Sequence, residues 1–154
     1  MKISRILVPT DFSEASSAAL EWARTLQEAF GAEALVLHVI DTVAVAPAVP
    51  PLGPVPAAGA DPQAVTEILQ QVRRQAEGEI ARVSAAFRHA RTLLVDGTPG
   101  PKIVEVAAHE RADVIVMGTH GRSGLARVLF GSVAEHVVRH SDVPVLTVRH
   151  RAAR

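Results

Sequence analysis

The chain has 154 residues, of which 48% are hydrophobic and 21% charged, and its 16 basic and 16 acidic residues balance. These values predict one globular domain spanning residues 1–154, and the lack of a basic excess argues against a nucleic-acid or anionic-membrane partner. The absence of cysteine excludes disulfides and thiolate metal sites. We expect no membrane span, since no run reaches about eighteen apolar residues, and no signal-peptide pattern opens the chain, so a cytoplasmic location is the expectation.

Five short β-type segments alternate with four helical patterns. Continuous apolar runs such as Val114 to Met117 are typical of strands buried on both faces, as in a parallel sheet. The five predicted strands are Ile3 to Pro9, Ala34 to Ile40, Thr92 to Val95, Asp113 to Met117 and Val143 to Arg149.

Capping residues mark the helices between these strands. The first begins after Asp11 or Ser13, either of which can cap it, and ends at Gly31. The second helix runs from Asp61 or Pro62 to Arg88, and the third from Pro99 or Gly100 through Ala107. The fourth runs to His140 and has Ser132 as its predicted cap. Helical spacing predicts that Trp22 and Phe87 pack in the core.

A proline-rich loop from Asp41 to Ala60 separates the second strand from the second helix. It contains five prolines and two glycines, so we predict neither strand nor helix there. Loops of this length inside a compact domain are often functional. Whether this one lies over a ligand is left open.

The alternation of strands and helices predicts a doubly wound parallel sheet with right-handed crossovers. Ligands of such sheets bind at the carboxyl ends of the strands, where the strand order reverses. In the order 3-2-1-4-5 the reversal lies between strands one and four. The segment Pro9-Thr10-Asp11 would then face the loop that follows strand four.

That loop carries the most informative motif in the chain, Gly118-x2-Gly121-x9-Gly131-Ser132. Glycines let backbone N–H groups approach an anion, and a helix N-terminus adds unpaired donors with partial positive charge. A strand, a glycine-rich loop and a helix start therefore predict a phosphate site. The motif is neither the dinucleotide pattern G-x-G-x-x-G nor a P-loop, which requires Gly-Lys-Ser/Thr.

Several separated segments resemble the universal stress protein family, and the resemblance covers nearly the whole chain. They are Ile6 to Ser13, Leu37-His38-Val39, Asp113 to Gly121 and Val143 to Val148. The glycine spacing resembles that of the ATP-binding branch of this family. The resemblance implies a single-domain α/β fold that is Rossmann-like and adenine nucleotide alpha hydrolase-like, with a five-stranded parallel sheet of order 3-2-1-4-5 and four helices.

The resemblance also implies an ATP-binding regulator of the stress response, with ADP or AMP as related ligands and Mg²⁺ or Mn²⁺ held through the phosphates. Asp11 would hold the ribose or the adenine edge, and the backbone of Val39 would meet the adenine. The other implied binding residues are Pro9, Thr10, Met117, Gly118, Thr119, His120, Gly121, Arg122, Gly131, Ser132 and Val133. Side-chain contact by His120 is the weakest of these expectations, and no residue is expected to be catalytic or to ligate metal directly.

Three other readings remain open. Slow ATP hydrolysis is the alternative function, although the chain lacks a Walker lysine and an evident catalytic carboxylate beside the loop. A phospho-receiver or a flavin-binding electron carrier could share the sheet, but the receiver's acidic cluster and lysine and the flavin site's aromatics are missing. His136 and His140 have the i, i+4 spacing of metal ligands, yet a solvated helix face is the favoured interpretation.

The last strand, Val143 to Arg149, would lie at an edge of the sheet. A hydrophobic unpaired edge promotes association unless it is covered. Pairing with the same strand of a second chain would cover it by two-fold symmetry. We therefore expect a homodimer, while the downstream protein partner cannot be named from the sequence.

Overall fold

The computed structural model describes residues 2–41, 62–119 and 131–149. The strands are β1 (Arg5–Pro9), β2 (Glu33–Ile40), β3 (Ala90–Asp96), β4 (Val114–Gly118) and β5 (Val145–Val148). The helices in these ranges are α1 (Glu14–Phe30), α2 (Pro62–Ser84), α3 (Pro99–His109) and α4 (Ser132–His140). All strand pairs are parallel, in the order β3-β2-β1-β4-β5, so the predicted fold class and strand order are confirmed.

Each face of the sheet has its own apolar core. Side chains alternate across a strand, so Ile6 and Val8 of β1 join the core beneath α1 and α2, while Leu7 joins the core beneath α3 and α4. All three side chains are fully buried. This burial on both faces explains why the central strands read as continuous apolar runs. None of the described helices is long and apolar enough to cross a membrane.

Two strands are shorter than their apolar patterns predicted. The N–H of Ser4 donates to the Asp113 carboxylate at 2.7 Å, and β1 starts at Arg5, two residues later than predicted. Before β5, the N–H of Val143 donates to the Ser141 hydroxyl at 3.1 Å, and Pro144 has no N–H to donate. Side-chain and proline chemistry therefore shorten both strands, whereas β3 is longer than predicted because it pairs with β2 from Ala90 to Asp96.

The ends of the helices follow local capping chemistry. Ser13 caps α1 by accepting the N–H of Ser16, and Gly31 ends it in the left-handed conformation at φ 64°, as predicted. The second helix ends at Ser84 and not at Arg88, because the Ser84 carbonyl accepts the N–H of Phe87 in a tight turn. The predicted Ser132 cap is wrong, since Gly131 is the N-cap of α4 and Ser132 is its first helical residue.

The core prediction is right for Phe87 and wrong for Trp22. Phe87 is 8% exposed and packs beneath α1, while Trp22 is 54% exposed. The buried residues of α1 are Ser16, Ala19, Ala23 and Gln27, two of which are polar. Helical spacing identified the apolar stripe of α1, but the sheet covers only part of its width.

Gly118 ends β4 where α1 crosses closest to the sheet. A Cβ added at Gly118 would stand 2.7 Å from the carbonyl oxygen of Ala15, which is backbone and cannot turn aside. Gly118 is therefore required for the packing of α1 on β4, whatever its role in a ligand site. Gly78 in α2 is a contrast, because a Cβ there would meet nothing within 4 Å.

We predict that Gly118→Ala lowers the free energy of unfolding by about 1–3 kcal/mol, the usual cost of overpacking. Gly78→Ala is the matched control and should change it by less than about 1 kcal/mol, in the stabilising direction, because alanine favours helix over glycine. Chemical denaturation of the three proteins measures both effects. Equal stability of the two variants would contradict the steric argument.

Asp113 ties the start of β1 to the start of β4. Its Oδ2 accepts the N–H groups of Ser4 at 2.7 Å and Arg5 at 2.9 Å. These hydrogen bonds, first that from Ser4 and then that from Arg5, hold the pKa of the Asp113 carboxyl below its usual value. The carboxylate therefore stabilises the fold above the unfolded pKa of about 3.9, and this stability is lost as the pH falls through the lower folded pKa.

We predict that Asp113→Ala is less stable than the wild type at neutral pH. The gap in free energy of unfolding should narrow as the pH falls below about 4, because the wild type loses the hydrogen bonds that the variant never had. Urea denaturation of both proteins between neutral and acidic pH checks this. A gap that stays constant or widens on acidification would show that the carboxylate does not act in this way.

Candidate functional site

A cavity of about 360 Å³ opens at the carboxyl ends of the strands, between β1 and β4, where the strand order reverses. This is the predicted position for a ligand on a doubly wound sheet. Its size falls in the range of small-molecule sites. The residues around it come from all three central strands and from the starts of α1, α3 and α4: Pro9, Thr10, Asp11, Ser16, Leu37, His38, Val39, Pro99, Ile103, Met117, Gly118, Thr119, Gly131, Ser132, Val133 and Ala134.

The structure brings most of the predicted site residues together around this cavity. Its lining includes Pro9, Thr10, Asp11, Val39, Met117, Gly118, Thr119, Gly131, Ser132 and Val133. The other predicted residues, His120, Gly121 and Arg122, lie outside the described residues, as does the proline-rich loop from residue 42 onward.

Other lining residues were not predicted. Ser16, Pro99, Ile103 and Ala134 contribute to the wall, and Leu37 and His38 were noted only within a family-like segment. Pro99 had a usable signal, because a helix that follows β3 begins at the same edge of the sheet as the glycine loop. Ile103 lies one turn further along this helix and follows from the same reasoning.

The turn between β1 and α1 presents Asp11 to the cavity. The Asp11 Oδ1 accepts the hydroxyl of Ser13 at 2.6 Å and its N–H at 3.1 Å. Ser13 in turn caps α1. Of the two predicted candidates for this cap, Asp11 and Ser13, it is therefore Ser13 that forms it. Asp11 is thus held beside the cavity by the residue that starts the helix, and the ligand role predicted for it does not compete with capping.

The start of α4 supplies hydrogen-bond donors to the cavity. Gly131 makes no side-chain cap, and the Glu135 N–H is bonded to the Gly131 carbonyl at 2.9 Å. The N–H groups of the first helical residues, Ser132, Val133 and Ala134, therefore have no acceptor within the helix. All three residues line the cavity. Together with the helix dipole, these donors favour an anion at this end.

The start of α3 has the opposite character. Pro99 and Pro101 occupy its first turn and have no N–H, so this helix start offers few donors. Pro99 and Ile103 instead form an apolar wall with Leu37, Val39 and Met117. The cavity is therefore chemically divided, with an apolar wall from the sheet and α3 and a donor-rich end at α4.

The described residues contain no cluster of three or more histidine, aspartate or glutamate side chains that could hold a metal ion. The spaced pair on α4 is engaged otherwise, since the His136 and His140 rings stack at 4.2 Å and the His140 Nδ1 bonds to the His136 carbonyl. His136 is also half-buried against Gly100 of α3, whereas His140 is exposed, so the predicted solvated helix face is right for His140 and wrong for His136.

Comparison with known proteins shows which family the chain belongs to. The model of the universal stress protein family matches residues 2–149. The chain belongs to the universal stress protein family. The universal stress protein MJ0531 of Methanocaldococcus jannaschii is 34% identical over 94% of this chain and 81% of its own length.

Solved structures share the fold over nearly the full chain. The MJ0577 protein of the same organism superposes with a TM-score of 0.84 at 27% identity, covering 99% of this chain and all of the other. A universal stress protein in complex with cAMP superposes with a TM-score of 0.62 at 26% identity, covering 97% and 98% of the two chains. The resemblance to the universal stress protein family is thereby confirmed.

Proposed function

We propose that this universal stress protein binds an adenine nucleotide, with ATP as the expected ligand and ADP or AMP as alternatives, and acts as a nucleotide-dependent regulator of the stress response. The observation that carries the proposal is the division of the cavity into an apolar wall and a donor-rich helix start. An adenine nucleotide has a flat apolar base at one end and phosphates at the other, which matches this division. The relative solved with cAMP supports the same ligand class on a related sequence.

In this proposal the base lies against the apolar wall, where the backbone of Val39 meets the adenine and Met117 and Gly118 line the nucleoside. Asp11 holds the ribose or the adenine edge. The phosphates bind the N–H groups of Ser132 and Val133 and the Ser132 hydroxyl. Gly121 and Arg122 are expected to approach the phosphates as well, and Mg²⁺ or Mn²⁺ would be held mainly by phosphate oxygens.

The donor groups of α4 can be tested one at a time, because proline is tolerated in the first turn of a helix. Ser132→Pro removes one N–H together with the hydroxyl, whereas Ser132→Ala removes the hydroxyl alone. The residue before a proline must be extended, and Gly131 already has φ −71° and ψ 159°. The substitution therefore fits the existing backbone.

We predict that Ser132→Pro weakens the binding of ATP by tenfold or more, at roughly 1.4 kcal/mol for each factor of ten, because a charged phosphate loses a backbone donor. Ser132→Ala should lose less. Isothermal titration calorimetry with ATP, ADP and AMP measures the affinities, and circular dichroism checks that the fold is retained. Failure of the wild type to bind any of the three, or full affinity in the proline variant, would refute the site. Mass spectrometry of nucleotide released from denatured protein would identify the natural ligand.

We also propose a homodimer through the last strand, predicted as Val143 to Arg149. Within the described residues β5 is the end of the sheet and pairs only with β4. Leu146 is 38% exposed and lies on the sheet face that α1 covers, because it is in register with Val116. The exposed Trp22 of α1 is on this same face. An exposed apolar strand edge is typical of an interface.

We predict that the wild type sediments as a dimer and that Leu146→Asp shifts it toward the monomer, since a charge would be buried at the interface. Leu69→Asp is the matched control, because Leu69 is 39% exposed on α2, far from β5, and its substitution should leave the dimer intact. Trp22 is the single tryptophan, so its fluorescence offers a second readout of association. A monomeric wild type, or a dimeric Leu146→Asp protein, would refute this interface.

A further inference from the structure

His38 contacts the turn between β1 and α1 at two points. Its Nδ1 lies 2.8 Å from the carbonyl oxygen of Thr10, and its ring stacks on Phe12 with the centroids 4.3 Å apart. The same side chain lines the candidate nucleotide cavity. His38 therefore connects the wall of the cavity to the residues on either side of Asp11.

The contact with Thr10 fixes the imidazole tautomer. A carbonyl oxygen can only accept a hydrogen bond, so the Nδ1 of His38 must carry the proton. The ring is held with Nδ1–H facing Thr10 in both the neutral and the charged form, because protonation of the neutral ring adds a proton at Nε2. The hydrogen bond to Thr10 can therefore form whether the His38 ring is neutral or charged.

The turn itself needs such support. Phe12 has φ 64°, a left-handed conformation that costs a residue other than glycine on the order of 1 kcal/mol. Its N–H donates to the Thr10 hydroxyl at 3.0 Å, and its side chain packs against the core beneath α1. The stack on His38 adds to these contacts, so the strained residue is held on its backbone and on its ring.

Thr10 is the fixed point of the turn. It is 6% exposed; its N–H donates to the Leu37 carbonyl at 2.8 Å, and its hydroxyl lies 3.1 Å from that of Ser16. The bond from His38 to its carbonyl completes this set. Asp11 sits between Thr10 and Phe12, so its backbone position is determined by the residues that His38 contacts.

We propose that His38 is a positioning residue of the nucleotide site, which holds the turn from Thr10 to Ser13 so that the Asp11 carboxylate faces the ligand. This rests on the proposed function for its effect on binding. The anchoring of the turn, in contrast, is a property of the protein without ligand. The two parts can therefore be tested separately.

The first experiment compares two substitutions of His38. His38→Asn loses the ring but keeps an N–H donor, because its amide nitrogen is two bonds from Cβ, as Nδ1 is in histidine. His38→Leu keeps apolar bulk without the donor. We expect His38→Leu to weaken ATP binding about tenfold, the effect of one hydrogen bond of ordinary strength, and His38→Asn to recover most of the loss. Calorimetric titration gives the affinities, and thermal melting gives the stability of each variant.

His140→Leu is the matched control. The His140 Nδ1 also lies 2.8 Å from a backbone carbonyl and its ring also stacks, but the residue is exposed at the end of α4 and does not line the cavity. Its loss should change the affinity by less than about twofold, as exposed substitutions usually do. Equal weakening by His38→Leu and His140→Leu, or no rescue by His38→Asn, would overturn the proposal.

The second experiment needs no nucleotide. In the ¹⁵N spectrum of the wild-type imidazoles, we expect the His38 Nδ1 to be protonated at neutral pH. The amide resonances of residues 11–13 should shift in His38→Leu and far less in His140→Leu. An unprotonated Nδ1 or unmoved amides would overturn the positioning role. Protonated Nδ1 in a protein that binds no nucleotide would refute the proposed function alone and keep the anchoring of the turn.

Discussion

The cavity exists because the chain leaves β1 and β4 toward opposite faces of one sheet. After β1 it enters α1, which packs over one core, and after β4 it continues to α4, which packs over the other. Both strands are central and buried on both faces. The crevice at the strand-order reversal lies at their carboxyl ends, with α1 packed on one face of the sheet and α4 on the other.

Two glycines then determine what borders this crevice. Gly118 lets the backbone of α1 come against the end of β4, and the turn containing Asp11 shares the cavity with Gly118 and Gly131. Gly131 starts α4 without a capping side chain, so no cap at this position occupies the N–H groups of Ser132, Val133 and Ala134, which line the cavity. A serine or aspartate cap at position 131 would stabilise the helix locally and occupy a donor that a phosphate could use.

The central strands and the place of the site were predictable because they depend on strong, local signals. A continuous apolar run such as Val114 to Met117 is typical of a strand in a sheet that is covered on both faces. The missed start of β1 depends on tertiary chemistry, because the carboxylate of Asp113 binds the N–H of Ser4 across more than a hundred residues of sequence. Trp22 was placed wrongly because periodicity identifies an apolar stripe without showing how far the sheet extends beneath it.

The missed part of the site has the same origin. Pro99 and Ile103 reach the cavity only because α3 begins at the edge where β1, β2 and β4 also end, and the single-letter pattern of α3 resembles that of any amphipathic helix. The two prolines at the start of α3 indicate a ligand orientation only when this helix is compared with α4. The start of α3 has few N–H donors and that of α4 has several, and this contrast gives the cavity an apolar end and a polar end. No single segment carries that contrast.

The donor end of the cavity is also joined to the edge of the sheet. The N–H of Gly131 donates to the Thr119 carbonyl at 2.7 Å, and the N–H of Thr119 donates to the carbonyl of Val148, the last residue of β5, at 3.0 Å. An anion held at the start of α4 and a second chain paired along β5 would thus act on residues linked by two hydrogen bonds. If the anion changes the affinity between the two chains, pairing of the chains must change the affinity for the anion by the same factor, because coupling free energies are reciprocal.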